Sequence, residues 1–220
     1  MERGNRIRIK FKKGNALKYI SHLDLLRTME RAIRRSKLPI AYSEGFHPHA
    51  QVQFASALPV GVASLCELME LELTEELAAS DVKGRLSEQL PVALAPSRAA
   101  VVPQSEGRLM SLVQGAGYWV RVGAAEDLAS RVQGWLDQET ILWQRKQKNK
   151  VRQLNLRAAT LEIKVKGQDQ LELFLFFSPE ATNVRPQEVV ASLELVPREL
   201  VRTAILGQGV LLGSLEKGKH

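Results

Sequence analysis

A basic strand of strict alternation, a capped amphipathic helix directly behind it, and a second half that repeats the same succession predict an α+β fold. The order β-α-β-β-α-β is the split βαβ of a ferredoxin-like unit, so two such units in tandem are expected, the second with extra strand material. Residues 1–104 make the expected first unit, 105–117 a linker and 118–220 the second.

In Arg6 to Lys12, Ile7, Ile9 and Phe11 point one way and Arg6, Arg8, Lys10 and Lys12 the other. Period two with one apolar face is a half-buried strand. Lys13-Gly14-Asn15 turns the chain. Ser21 followed by Asp24 is a helix start signal, and the helix should run to about Lys37, ahead of Pro39. Leu23, Leu26, Met29 and Ile33 are its expected buried stripe. Ile40 to His49 reads as a loop around a short strand, followed by a strand at Val52 and Phe54 and a turn at Pro59-Val60-Gly61. Glu67 to Leu73 is the next strand, with Met69, Leu71 and Leu73 on one face. A helix over Asp81 to Leu90, capped by Ser80 or Asp81, and a strand within Leu94 to Val102 complete the unit.

Gln104 to Gly117 is rich in glycine and polar residues, which places the boundary there. Beyond it, Tyr118 to Val122 and Thr140 to Lys146 read as strands around a helix at Glu126 to Leu136. Val151 to Ala159 supplies the extra strand material. Leu161 to Val165 pairs with Leu171 to Phe177 across Gly167-Gln168-Asp169-Gln170. Pro186 opens a helix to about Leu195, and Val201 to Leu206 is a last strand.

An apolar fraction of 45% is enough for a sizeable core. The net charge of +7 favours nucleic acid, phosphate or an anionic membrane as a partner, with a basic solubilising surface as the plain alternative. The single cysteine, Cys66, excludes an intrachain disulfide or a cysteine-rich metal cluster, and fits a reducing compartment. The start of the chain has no apolar leader pattern, and no apolar run reaches the roughly 20 residues that span a bilayer. The expectation is a cytoplasmic protein without a membrane partner.

The charge is segregated. Residues 1 to 40 hold twelve bases against three acids. The first strand puts Arg6, Arg8, Lys10 and Lys12 on one face, expected to be the open face of the sheet, with Lys18 just beyond. On the helix, Arg27, Arg31, Arg34 and Arg35 stand at i, i+4, i+7 and i+8, one continuous row. Arginine's planar fork suits phosphate. A solvated helix face is the plain alternative for the row alone. Gln144 to Arg157 adds Arg145, Lys146, Lys148, Lys150, Arg152 and Arg157 without an acid, either an exposed β-loop or an extension of the basic surface. Against these, Glu67, Glu70, Glu72, Glu75, Glu76 and Asp81 form an acidic stretch, and the strand from Glu67 offers a contact edge for a partner. No aromatic sits on the open face of the first strand, so base stacking of the RNA-recognition-motif kind is not indicated there.

Three of the four histidines lie in two dense stretches: Tyr19, Ser21, His22 and Asp24, then Tyr42, Ser43, Gly45, Phe46, His47 and His49. Three readings stand for them. His22, His47, His49 and Asp24 bind a metal, although no ligand spacing matches. A histidine serves as general base on a ribose hydroxyl. Or Gly45 and Pro48 shape a rigid loop whose imidazoles donate hydrogen bonds. No phosphate loop, dinucleotide fingerprint, nucleophile elbow or H-E-x-x-H helix is present, and no catalytic residue, metal or cofactor is assigned.

Lys18-Tyr19-Ile20-Ser21-His22-Leu23-Asp24, Arg31-Ala32-Ile33-Arg34-Arg35-Ser36, Leu38 to His49, Phe54-Ala55 and Leu58-Pro59-Val60-Gly61 with Ser64 and Glu67 together resemble one family. It is the bacterial radical-SAM-linked proteins, a domain of unknown function. The likeness is dense over residues 1–75 and thinner beyond, through Leu154-Asn155-Leu156-Arg157 and Arg185 to Val189. His47 stands where many relatives carry Asn. In that family the domain stands alone or is fused to a cobalamin-binding radical-SAM protein. The stand-alone form is typically encoded near such an enzyme, a ribonuclease and ribosomal proteins. The resemblance implies an accessory role beside a radical-SAM enzyme, and with the basic charge it points to RNA. The expected function is RNA binding or substrate presentation for that enzyme. The alternatives are a metal-independent RNA-processing endonuclease on paired ferredoxin-like units, and a pure interaction module docking the enzyme.

Overall fold

Residues 4–103, 105–147, 150–177, 184–207 and 210–211 are described by a computed structural model. The chain is α+β and divides into two compact units, one built on the chain up to Val113 and the other on Gln114–Leu206.

The first unit runs β1 (Arg6–Lys13), α1 (His22–Arg35), β2 (Val52–Phe54), β3 (Ala63–Glu72), α2 (Ala79–Ser87) and β4 (Pro96–Val102). Its strands lie in the order β4-β1-β3-β2, and each neighbouring pair is antiparallel. The alternation of β1 is realised. Ile7 faces Leu71 and Ile9 faces Met69 across the ladder, and all four are buried. They meet Leu25, Met29 and Ile33 of α1 and Val82 and Leu86 of α2 in one core. At roughly 1.5–3 kcal/mol for each large apolar side chain removed from water, this core outweighs any single polar contact in the unit.

Ser21 caps α1 as expected: its Oγ accepts from the Asp24 N–H at 3.1 Å, and its hydroxyl donates to the Asp24 carboxylate at 2.7 Å. The buried stripe is Leu25, Met29, Ala32 and Ile33, a true i, i+4, i+7, i+8 row. Leu23, expected in that stripe, is 54% exposed because it lies about 160° around the helix from Leu25. Helix α2 begins two residues before the expected start, at Ala79, and neither Ser80 nor Asp81 caps it. The Pro59-Val60-Gly61 turn forms. Gly61 sits at φ +87°, which only glycine adopts freely, and its N–H donates to the Lys18 carbonyl at 2.8 Å.

The expected open basic face of β1 is not open. Arg8 is buried. Its Nε and Nη2 both donate to Glu70 Oε2, at 3.3 and 2.9 Å, and its Nη1 pairs with Glu106 at 2.6 Å. Arg6 donates to Glu70 Oε1 at 3.0 Å and to the carbonyls of Pro103 and Glu106 at 2.8 and 2.6 Å. The chain after β4 thus folds over the outer face and neutralises both arginines. The expected linker is structured: α3 (Leu109–Leu112) and the first part of β5 (Val113–Val122) occupy it.

The second unit continues with α4 (Leu128–Leu136), β6 (Leu142–Gln147), β7 (Lys150–Asn155), α5 (Leu156–Ala159), β8 (Thr160–Lys166), β9 (Gln170–Phe176), α6 (Pro186–Ser192) and β10 (Pro197–Gly207). Strands β10, β5, β9 and β8 are neighbours in that order, and β6 pairs only with β7. The strand expected at Thr140 to Lys146 therefore belongs to the inserted hairpin. The β8–β9 turn forms at Gly167, with Val165 facing Leu171. Pro186 is at the first turn of α6 as expected, and that helix ends at Ser192. No described helix is long and apolar enough to cross a membrane.

Replacing Glu70 by Gln keeps the shape and removes the charge that both arginines share. Breaking a buried ion network from one side costs roughly 3–5 kcal/mol. Urea denaturation of Glu70→Gln should show that loss, and a loss below about 1 kcal/mol would mean that solvent or other groups stabilise the arginines.

Candidate nucleic-acid interface

With Arg6 and Arg8 consumed, the densest set of exposed cations in the first unit is that of α1. Arg27, Arg31, Arg34 and Arg35 are all exposed, as is Lys37. The helix holds them in one row because the opposite stripe is fixed in the core. Arg27 makes a 3.7 Å contact with Asp24, and both side chains are more than half exposed. Such pairs contribute about 0–1 kcal/mol and yield to a competing anion. Arg31 bonds only its own helix, through the Arg27 carbonyl at 3.3 Å. Arg35 reaches the Gln89 carbonyl at 2.7 Å. Among the described residues neither Arg31 nor Arg34 has a carboxylate partner. Arg34 and Arg35 in the last turn also complement the negative end of the helix dipole.

The other predicted bases divide. Lys12 is exposed; Lys10 and Lys18 are half-buried, with Lys18 Nζ 5.3 Å from the Tyr19 ring. Arg145 is not a free cation: it forms a two-point pair with Glu188, at 2.6 Å through Nε and closer still through Nη2, and both side chains are nearly buried. Glu188 meanwhile accepts from the Arg185 N–H at 2.8 Å, so this pair pins the start of α6. Lys146 is exposed, and Lys148 lies outside the described residues. The acidic strand does not offer an edge within its unit. β3 is paired on both sides, by β1 and β2, and Glu67 and Glu70 are buried.

The stretch from Tyr42 to His49 is a loop with a pinned neck. Tyr42 and Ala50 bridge, the Ser43 N–H donates to the His49 carbonyl at 2.8 Å, and the His49 N–H donates to Ser43 Oγ at 2.9 Å. Gly45, at φ +124°, gives the loop its reversal. Its side chains turn outward: Phe46 is 102% exposed, Tyr42 59%, and His47 and His49 are exposed.

The predicted histidines have different surroundings. His22 lies edge-on to Phe54 at 5.6 Å between ring centres, and Phe54 in turn meets Phe11 at 6.2 Å. The neck of the loop is at Ala50. Four residues of extended chain separate Ala50 from Phe54, about 13 Å at 3.3 Å per residue. Among the described residues no three His, Cys, Asp or Glu are placed to hold a metal ion.

Lys13 was not foreseen. It is buried, and its Nζ donates to the carbonyls of Ile20 at 3.0 Å and Lys18 at 3.3 Å, tying down the chain that enters α1. The signal was present, since 13 continues the inward series 7, 9 and 11. The loop offers a direct check. Phe46→Ala removes no packing, so thermal denaturation should find stability within about 0.5 kcal/mol of the parent. A larger loss would mean that the ring is covered in solution.

Comparison with known proteins adds a family. The model of a family described as "Uncharacterized protein conserved in bacteria (DUF2344)" matches residues 6–186. No curated protein matches the chain. Among solved structures, a chain of the "Crystal Structure of a Cbf5-Nop10-Gar1 Complex" is similar at a TM-score of 0.48 and 10% identity, over 90% of this chain and 48% of that one. This chain therefore spans about half the length of that neighbour, and a likeness of that degree carries no weight for function. With most of its length matched, from β1 to the start of α6, the chain belongs to the bacterial family DUF2344.

Proposed function

We propose that this protein is an RNA-binding accessory factor that presents RNA to a radical-SAM enzyme, and that α1 is its phosphate-contacting element. The observation that carries the reading is the exposed row Arg27, Arg31, Arg34 and Arg35, in which Arg31 and Arg34 have no carboxylate partner among the described residues. Guanidinium groups one helical turn apart follow a phosphate backbone, and each neutralised phosphate releases counterions. The exposed Tyr19, Tyr42 and Phe46 supply flat faces for unpaired bases. The partnership with a radical-SAM enzyme is supported by the resemblance of the Ser21–Asp24 and Gly45–His49 stretches to radical-SAM-linked proteins. We also read both units as ferredoxin-like. The order β4-β1-β3-β2 recurs as β10-β5-β9-β8, with the β6–β7 hairpin inserted.

Affinity for structured RNA should fall steeply with salt, by roughly 0.7–0.9 in log K per log salt for each phosphate contacted. The triple variant Arg27→Ala, Arg31→Ala, Arg34→Ala should flatten that slope by about two to three. Fluorescence anisotropy at several salt concentrations measures both. Binding without salt dependence would sink the RNA reading and leave an interaction module.

For the partnership, the chain and a radical-SAM enzyme from the same bacterium should co-purify at low salt, and nuclease treatment should release the enzyme. A complex that survives nuclease would favour direct docking. No association, together with an unchanged modification product when the gene is deleted, would remove the enzyme from the proposal.

A further inference from the structure

The outer face of the first unit's sheet carries a cleft of about 260 Å³. Arg6, Gln51, Gln53, Glu72, Glu106 and Arg108 stand around it, with Glu70 at its floor. It lies on the face of the sheet opposite α1, so it is independent of the arginine row. The floor is rigid. Both Glu70 oxygens are taken by Arg6 and Arg8, and Arg6 Nη2 is held by two carbonyls. Above that floor several groups are uncommitted. The half-buried Glu72 carboxylate has no hydrogen bond or ion pair with a described residue. Beneath that surface, Gln53 Oε1 and Arg6 Nε are enclosed and have no hydrogen-bond partner among the described residues. Arg108 is exposed at the rim, with no side-chain hydrogen bond or ion pair to a described residue.

We propose that this cleft binds a guanine base, with its N1–H and N2–H edge on Glu72. Phosphate is the wrong ligand for the interior, because Glu72 and Glu106 would repel it and Arg6 is already paired. A bare cation is wrong as well, because Glu70 and Glu106 are already paired with arginines and Arg108 stands beside Glu72. The interior asks for a neutral group that gives two adjacent protons to a carboxylate and offers an acceptor to a guanidinium N–H. Guanine does both: N1–H and N2–H stand side by side, and O6 and N7 accept. Adenine and cytosine set a bare ring nitrogen beside their amino group, and uracil flanks its one N–H with carbonyls. A carboxylate facing any of these meets a lone pair. Arg108 can meet a 5′-phosphate at the rim.

The probe is guanosine 5′-monophosphate, titrated calorimetrically into the full chain beside the adenosine, cytidine and uridine monophosphates. The guanosine nucleotide should bind at least about tenfold more tightly than the others, the effect expected of a hydrogen-bonded pair to a charged acceptor. Glu72→Gln should abolish the discrimination, while Arg108→Ala should weaken the nucleotide but not guanosine. Circular dichroism of both variants should match the parent. A uridine heptamer with one central guanosine identifies the source: displacement of the mononucleotide by the heptamer means a base in RNA, and no displacement means a free nucleotide, the site being a guanine site in either case. Equal binding of all four nucleotides, no binding at millimolar concentration, or an unchanged preference in Glu72→Gln would overturn the proposal. The Arg27, Arg31 and Arg34 triple variant should bind the mononucleotide like the parent, so loss of RNA affinity there and loss of guanine selectivity in Glu72→Gln are separate results.

Discussion

The Glu70 carboxylate sets the terms for the first unit. It receives Arg6 on one oxygen and Arg8 on the other, from residues two apart on the neighbouring strand. Without it, two like charges would stand side by side under the chain that follows β4. With it, the pairing of β1 and β3 has one workable register. A one-residue slip would turn Glu70 into the apolar face and Leu71 out of it. Desolvating such a group is costly and the attraction offsets that cost only when the geometry is good. Here Arg8 gives two bonds to one oxygen, and Glu106 takes its remaining end. The network is therefore better understood as a specifier of register than as a source of net stability.

The same network decides which charges are available to a partner. The net charge of +7 suggests a broadly basic protein, yet Arg6, Arg8 and Arg145 are spent on internal pairs. What remains is directional. The inner face of the sheet takes the apolar stripe of α1, and the outer stripe of that helix is left to Arg27, Arg31, Arg34 and Arg35. A row of this kind acts at the range of a Debye length, roughly 8–10 Å at moderate salt. Only a partner with closely spaced negative charges engages several members together, and a nucleic-acid backbone has that spacing.

Much of this was legible in the residues. The period-two pattern of β1, the Ser21–Asp24 cap and the glycine at 61 are local signals, and local signals survive into the fold. The direction of each side chain from Arg6 to Lys12 was legible too, whereas Lys13, read as part of a turn, continues the strand and points inward. What lay on the far side of the outer face was not. Glu106 is nearly a hundred residues from Arg8, in a stretch with no periodicity, and nothing in its composition marks it as a cover for a strand. The phase of α1 was misjudged at Leu23 for a related reason. Several apolar residues near the helix start fit more than one stripe, and only the packing against β1 and β3 selects Leu25. The inserted hairpin β6–β7 could not be separated from sheet strands, because an exposed ribbon and a half-buried strand alternate alike.

The two dense stretches that carry the family resemblance have different physical explanations. Around Ser21 most of the polar groups have work inside the fold. Ser21 and Asp24 close the helix end, Lys13 holds the carbonyls of Lys18 and Ile20, Gly61 bonds Lys18, and His22 packs on Phe54. Together they fix where α1 begins and so where its arginine row points. The loop from Tyr42 to His49 has no comparable internal task. Its backbone is pinned at Ser43 and His49, and beyond that neck Phe46 and the two imidazoles face solvent. A fully exposed phenyl ring on a fixed loop loses free energy to water and returns none through packing. Stability therefore explains the first stretch and does not explain the second. The aiming of the arginines rests on the residues that seat the helix, and the exposed rings of the loop are the side chains that stability leaves unexplained.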